Sequence, residues 1–129
     1  MRLKKILRLK KRILSENEKT SELTGKRCVP CEGGIPALKD DEIKKYKKEL
    51  ARGWNVVNKK KLFKAFSLVN YKQTIDFVNK IASIAEEEGH HPVLHVFYAR
   101  LEIELFTFAI DALSLNDFIL AAKIDQIDF

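Results

Sequence analysis

Long apolar runs are missing from this sequence of 129 residues. No stretch approaches the roughly 20 apolar residues of a membrane-spanning helix. A secretory signal requires an uninterrupted apolar segment after its first basic residues, and this sequence has no such segment there. The length suits one domain and is too short for two of ordinary size. Because 46% of the residues are hydrophobic, we expect that domain to bury a core.

Cysteine and histidine are scarce, with two and three residues respectively. Cys28 and Cys31 form one Cys-x-x-Cys pair, which supplies only two of the four ligands of a structural zinc site. The pair lies among Pro and Gly residues, whereas a thioredoxin-like redox pair opens a helix after a strand. Three interpretations stay open: two thiols in a loop, a weak metal site, or a disulfide.

Acidic residues are absent before Glu16, and the positive charge of the chain is concentrated in this region. The first 27 residues contain ten Lys or Arg and three Glu, whereas the rest of the chain contains 14 basic and 15 acidic residues. We therefore predict a basic N-terminal extension at residues 1–20 and a single folded domain at residues 21–129.

The basic extension is compatible with a solvated tail, an organellar targeting peptide, or an arm for a membrane surface or a nucleic acid. We expect a cytoplasmic protein, or a mitochondrial or other organellar one if the extension is a targeting peptide. The balanced charge of the remaining chain gives no support for nucleic-acid binding by the core domain.

Periodic apolar residues predict three helices after residue 37. Early acids and late lysines favour a helix from Asp40 to Leu50. Apolar residues at spacings of three and four predict a long helix from Tyr71 to Glu88, which Gly89 ends. A last helix is expected after a cap at Ser114 or Asn116.

Four strands are predicted by β-prone residues bounded by turn residues, at Trp54–Val57, Leu62–Leu68, Val93–Tyr98 and Leu101–Phe108. The order α-β-β-α-β-β-α contains two hairpins, so we predict an α+β fold: a four-stranded antiparallel sheet with three helices on one face. The last strand should turn one parity to the helices, namely Leu101, Ile103, Leu105 and Thr107. Its open face should carry Glu102, Glu104, Phe106 and Phe108.

Two adjacent histidines, His90 and His91, follow the central helix and precede Pro92. Histidine exchanges protons near neutral pH, and Pro92 restricts the residue before it to extended geometry. Glu86 lies one helical turn before His90, so its carboxylate can approach and orient that ring. A polar helix end, whose dipole favours cationic histidine, explains the same pattern. Spacing alone does not decide between these two interpretations.

The wider pattern resembles the pterin-4a-carbinolamine dehydratase family, also known as the dimerization cofactor of a homeodomain transcription factor. The resemblance rests on Glu-Glu-Glu-Gly-His-His-Pro at residues 86–92, Tyr98, Leu-Glu-Ile-Glu-Leu at 101–105 and Leu-Asn-Asp-Phe at 115–118. Further matches are Trp54 after Gly53, Phe77-Val78-Asn79, and Cys-x-x-Cys-Glu-Gly-Gly at 28–34. It covers about residues 21–127.

The resemblance implies a pterin site lined by the two adjacent histidines, a third histidine on a later strand and a downstream carboxylate. The carboxylate falls on Asp117, but Phe108 occupies the position of the third histidine. Phenylalanine can stack on a flat pterin ring, yet it cannot transfer a proton or donate a hydrogen bond. His95 is expected to be a surface histidine rather than a replacement.

The reaction implied by the resemblance removes water from a 4a-hydroxytetrahydropterin, giving the quinonoid dihydropterin. One acid and one base suit this chemistry, and no metal or redox cofactor is expected. We hypothesise that His90 and His91 exchange the protons, with Glu86 as the orienting partner. The expected contacts to the substrate are Trp54, Phe108, Asp117 and Pro92.

The substitution at Phe108 supports an alternative: a catalytically weakened pterin-binding or protein-interaction scaffold of the same fold. A related activity in another pterin pathway is a further alternative. The implied partners are a small pterin and other copies of the chain, in a homodimer or homotetramer. A sheet with free edges permits such assembly.

Overall fold

A computed structural model of the chain describes residues 22–30 and 34–129. The predicted basic extension, residues 1–20, and Cys31 lie outside these described residues. The helices are α1 (Asp40–Glu49), α2 (Tyr71–Glu88) and α3 (Leu115–Asp125). The strands are β1 (Asn55–Val57), β2 (Lys61–Ser67), β3 (Val93–Val96) and β4 (Arg100–Leu105). No helix in the described part is long and apolar enough to cross a membrane.

The four strands form one antiparallel sheet in the spatial order β1-β2-β4-β3. Strand β4 therefore lies inside the sheet, whereas β1 and β3 are its edges. Leu62 lies opposite Leu105, and Lys64 lies opposite Ile103. This topology confirms the predicted α+β fold with its order α-β-β-α-β-β-α.

The core lies between one face of the sheet and the three helices. Leu101, Ile103 and Leu105 of β4 are fully buried, and the alternating residues Glu102 and Glu104 are partly exposed on the other face. All three helices contribute side chains to the same apolar cluster, including Ile43, Phe77, Ile81, Phe118 and Ile124. The period-two pattern of β4 thus assigns the two faces of residues 101–105 as predicted.

Helix α3 is buried around most of its circumference. Eight of its 11 residues are buried, and six of these are the apolar residues Phe118, Ile119, Leu120, Ala121, Ala122 and Ile124. A helix that is apolar on all sides needs neighbours on all sides. The sheet, helix α2 and the segment before α1 supply contacts for it. This enclosure explains how a carboxylate on α3 can be removed entirely from solvent.

Two strands end more than one residue before the predicted end. Strand β3 ends at Val96 rather than at Tyr98, and β4 ends at Leu105 rather than at Phe108. After β4 the chain forms a short 3₁₀ helix, Phe108–Ile110, and Asp111 adopts a left-handed conformation with φ 47°. The chain thereby folds back, so that Thr107 pairs with Ala112. Phe108 therefore does not lie on the open face of the sheet.

Candidate active site

The first histidine of the pair points into the protein. Helix α2 ends at Gly89, which adopts the left-handed φ of 65° that glycine tolerates. The chain turns inward after this residue, and the His90 side chain is only 5% exposed. Its Nε2 lies 2.6 Å from Oδ1 of Asp117, which is fully buried in the first turn of α3.

The Asp117 carboxylate is held by several donors besides His90. Its Oδ2 accepts hydrogen bonds of 2.9 Å from the Thr107 hydroxyl and from the Ser114 backbone N–H. The Thr107 and Ser114 hydroxyls are 2.6 Å apart. Because a carboxylate only accepts, the His90 Nε2 must carry the shared hydrogen, so a neutral ring has its acceptor at Nδ1. The network therefore fixes both the orientation and the tautomer of His90.

The second histidine has the opposite environment. The His91 side chain is 60% exposed, and its Nε2 lies 2.8 Å from Oε1 of Glu86. Glu86 was expected beside His90, but the structure places it beside His91. The expected spacing holds only within a continuous helix, and the left-handed turn at Gly89 breaks the helix before His90. The two adjacent histidines thus have separate carboxylate partners.

The other residues predicted to contact the substrate differ in their exposure to solvent. Phe108 follows Thr107, and its side chain is 86% exposed, with the Phe106 ring centroid 6.3 Å away. Pro92 is half-buried beside His91. Asp117, in contrast, is enclosed, so its carboxylate is placed to hold His90 rather than to contact a substrate.

Trp54 is not brought to the histidines. Its side chain is 3% exposed, and its indole N–H donates to Oδ2 of Asp125 at 2.8 Å. Asp125 lies eight residues after Asp117 on α3, which corresponds to roughly 12 Å along a helix axis. Trp54, which we expected to contact the substrate, is therefore a core residue at the opposite end of α3.

His95 is an exposed histidine on the open face of the sheet, as expected. Its Nε2 lies 2.8 Å from Oε2 of Glu104, whose other oxygen accepts from Lys61 at 3.2 Å. The hydrogen bond from His95 holds the pKa of Glu104 below its usual value of 4.5, although burial opposes this, and Lys61 adds to the lowering. His95 is thus engaged with the sheet and is separate from the His90 network.

Three residues of the site were not singled out from the sequence: Thr107 as a partner of Asp117, and Glu88 and Asn116 in the contacts to residues 28–30. The sequence contained a signal for the partners of Asp117. Ser114 and Asp117 have the spacing of a capping box, which both residues form. An inward-facing Thr107 at the end of a strand is a polar residue that needs a buried partner. Within the described ranges, no group of three His, Cys, Asp or Glu side chains is arranged to hold a metal ion.

Comparisons with known sequences match most of the chain to one protein family. Residues 36–127 match the model of the family described as pterin 4 alpha carbinolamine dehydratase. A relative from Rubrobacter xylanophilus is 43% identical over 107 residues, covering 83% of this chain and 99% of the relative. One from Rickettsia canadensis is 46% identical over 104 residues, covering 81% and 95%. Both are provisionally named pterin-4-alpha-carbinolamine dehydratase.

Solved structures share the fold. A crystal structure from Brucella melitensis, described as a transcriptional coactivator/pterin dehydratase, matches with a TM-score of 0.65 at 23% identity, covering 69% of this chain and 95% of that one. A pterin dehydratase-like protein, described as a RuBisCO assembly factor in the alpha-carboxysome, matches with a TM-score of 0.50 at 28% identity, covering 57% and 87%. With the sequence matches over most of its length, the chain belongs to the pterin-4-alpha-carbinolamine dehydratase family.

Proposed function

We propose that this protein is a 4a-hydroxytetrahydrobiopterin dehydratase. This hydro-lyase would eliminate water to give the quinonoid dihydropterin in tetrahydrobiopterin recycling. The observation that carries the proposal is the pair of adjacent histidines, each within 2.8 Å of its own carboxylate. One histidine is buried and fixed, and the other is exposed to solvent. Such a pair offers one buried and one exposed proton-exchanging group, side by side in a family member.

The elimination needs one acid and one base. The C4a–O bond breaks, and the leaving hydroxyl takes a proton from one histidine and departs as water. The N5–H proton passes to the other histidine, and the N5–C4a double bond forms. Exchange with water then restores both rings, so the reaction consumes no proton overall. Positioned acid–base groups contribute about 10²–10⁴-fold to a rate.

The environments of the residues suggest how these roles are supported. His91 is exposed and can contact the substrate, and Glu86 orients its ring. His90 is held in one orientation by Asp117, so Asp117 acts through His90 as a positioning residue. The exposed ring of Phe108 offers an apolar face on which a flat pterin can stack. Trp54 has no part in this proposal, because it lies in the core.

The double variant His90→Ala/His91→Ala tests the assignment. We expect it to lose the acceleration of carbinolamine dehydration in a stopped-flow absorbance assay. His95→Ala is the matched control, because His95 pairs with Glu104 on the open face. It should retain the rate of the unmodified chain within about threefold, since exposed pairs contribute little. A double variant as fast as the unmodified chain would rule out the histidine mechanism.

A second candidate function is a binding or assembly scaffold, and Phe108 favours it. This ring is 86% exposed, and Phe97 and Tyr98 are 50% and 71% exposed. Large exposed aromatic side chains are enriched at protein interfaces. One solved structure of similar fold is described as an assembly factor. A scaffold does not need a third histidine, because it transfers no proton.

Phe108→His separates the two candidate functions. A large gain in dehydration rate means that the natural chain is a weakened enzyme, which supports the scaffold. A rate that is already high and does not change means that Phe108 is compatible with full activity. A titration of the unmodified chain with tetrahydrobiopterin adds a second readout, and complete absence of binding favours the scaffold.

Self-association also belongs to this proposal. Strands β1 and β3 are the edges of the sheet, and an edge strand can pair with another copy. We propose a homodimer or a homotetramer in solution. Light scattering at several protein concentrations should give a mass of two or four chains, and a monomer at every concentration would contradict this.

A further inference from the structure

Residues 28–30 are here called the strap. They lie against the end of α2, which leads into His90, and against the first turn of α3, which carries Asp117. The Cys28 N–H donates to Oε2 of Glu88 at 2.9 Å. The Val29 N–H donates to Oδ1 of Asn116 at 3.0 Å, and the Asn116 amide donates back to the Val29 carbonyl at 2.8 Å. Glu88 lies two residues before His90, and Asn116 directly precedes Asp117.

Asn116 is suited to holding the strap rather than to forming a helix. It lies in the first turn of α3 and is only 2% exposed. Asparagine is a modest helix former, and a buried amide is costly unless its hydrogen bonds are satisfied. Its side chain contacts the Val29 backbone in both directions, as a neighbouring strand would. The strap therefore contributes hydrogen bonds to a buried side-chain amide at the start of α3.

Glu88 makes the corresponding contact from α2. It is the last residue of that helix, and its side chain is 4% exposed. One carboxylate oxygen accepts from Cys28, and the other pairs with Lys123 of α3. Glu88 thus joins the end of α2 to the strap and to α3. The strap and its two partners form a second connection between the segments that the His90–Asp117 hydrogen bond joins directly.

We propose that Asn116 and Glu88 are positioning residues, which use the strap to set the distance and orientation of His90 relative to Asp117. His90 and Asp117 lie 27 residues apart in sequence, so their alignment depends on how the two segments are held. Loss of supporting contacts behind an active residue typically lowers activity about 10–100-fold. The catalytic consequence rests on the proposed dehydratase function, whereas the geometric claim does not.

The test compares Asn116→Ala with Asn79→Ala, a matched variant at an exposed position of α2. The full chain is labelled with ¹⁵N-histidine, and the ring nitrogen shifts of His90 report its tautomer without any substrate. We expect Asn116→Ala to move the His90 shifts away from the Nε2–H pattern and to lower kcat about 10-fold, with KM changed less than about twofold. Asn79→Ala should leave both unchanged.

A second variant covers the case in which Asn116→Ala does not fold. Val29→Pro removes the Val29 N–H at an exposed side chain while leaving Asn116 in place. It should move the His90 shifts in the same direction. Glu88→Gln retains an acceptor for Cys28 and should change them less than Glu88→Ala.

The two proposals fail separately in this design. Moved His90 shifts in a chain without dehydratase activity would support the positioning role and overturn the proposed function. His90 shifts that match those of Asn79→Ala in the strap variants would overturn the positioning role, whatever the activity.

Discussion

Helix α3 carries a buried carboxylate near each end, and the two have different partners. In the first turn, Asp117 contacts His90, Thr107 and the Ser114 backbone. In the last turn, Asp125 accepts from Lys64 at 2.7 Å and from the Trp54 indole at 2.8 Å. The first carboxylate meets the imidazole ring of a histidine. The second meets the ammonium group of a lysine.

The surroundings of the second carboxylate are closed. The Lys64 ammonium lies 4.7 Å from the Phe66 ring centroid and 5.6 Å from that of Trp54. At Gly53, with φ 105°, a Cβ atom would lie 3.0 Å from Cε of Lys64, so glycine leaves room for the lysine stem. Burial raises the pKa of Asp125, against the lowering effect of Lys64 and Trp54. We infer that this end stabilises the fold, whereas the Asp117 end serves the chemistry.

The largest expected effect comes from removing the cation at the second end. Lys64→Met leaves the Asp125 carboxylate buried without its charged partner, which should lower the free energy of unfolding by about 3–5 kcal/mol. The double variant Lys64→Met/Asp125→Leu removes both charges and should recover most of this loss. Urea denaturation at pH 7 measures both. A single variant as stable as the unmodified chain would contradict a buried, paired cluster.

The next effect distinguishes the two carboxylates by activity. Asp117→Asn removes the acceptor charge that holds His90, and we expect kcat to fall about 100-fold, equivalent to about 2.7 kcal/mol. Asp125→Asn is the matched change at the other end and should keep kcat within about threefold. Steady-state and stopped-flow kinetics of carbinolamine dehydration give both values. Equal losses in the two variants would remove the distinction between the ends.

A smaller effect is expected for Trp54→Phe. The change removes the indole donor to Asp125 and leaves most of the ring in the core, so stability should fall by about 1–2 kcal/mol. KM for the pterin should stay within about twofold, because Trp54 does not reach the histidines. A large rise in KM without loss of stability would place Trp54 in the substrate site after all.

The smallest effect is a difference in pH dependence between two buried acids. Burial opposes the lowering at Glu88, but hydrogen bonds from Lys123 and the Cys28 N–H hold its pKa below 4.5. Its contribution to stability is therefore present above pH 4.5 and is lost as pH falls through the lowered pKa. The pKa of Asp125 is raised from 3.8, so its contribution declines as pH rises above 3.8.

Glu88→Gln and Asp125→Asn measure these contributions by denaturation between pH 3 and pH 7. The stability of the unmodified chain relative to Glu88→Gln should increase with pH. Its stability relative to Asp125→Asn should decrease over the same range. Two slopes of the same sign would show that one of the two environments is misassigned.

Much of the fold could be predicted from the sequence, because its signals are local. Apolar spacing and a terminal glycine predicted α2 as Tyr71–Glu88, the bounds that the structure has. Alternation along β4 assigned Leu101, Ile103 and Leu105 to the core. The end of β4 was missed because the left-handed turn at Asp111 follows a sequence with no glycine or proline.

The site was harder to predict, because its contacts join distant segments. Local spacing favoured Glu86 beside His90, but the turn at Gly89 gives that carboxylate to His91. The resemblance identified Asp117 as a site residue without showing that it is enclosed. The resemblance also grouped Trp54 with the histidines, although Trp54 contacts the last turn of α3 and His90 contacts its first turn. Contacts such as Asn116 to Val29 depend on the packed fold and have no signature in spacing.

The rate of carbinolamine dehydration by the unmodified chain tests the central claim most directly. The 4a-hydroxytetrahydrobiopterin is generated in the stopped-flow cell, and its disappearance is followed with increasing protein concentration. We predict a rate that rises in proportion to the protein and exceeds the spontaneous reaction at least about 100-fold at saturation. A rate that stays at the spontaneous value at every protein concentration would contradict the proposed dehydratase.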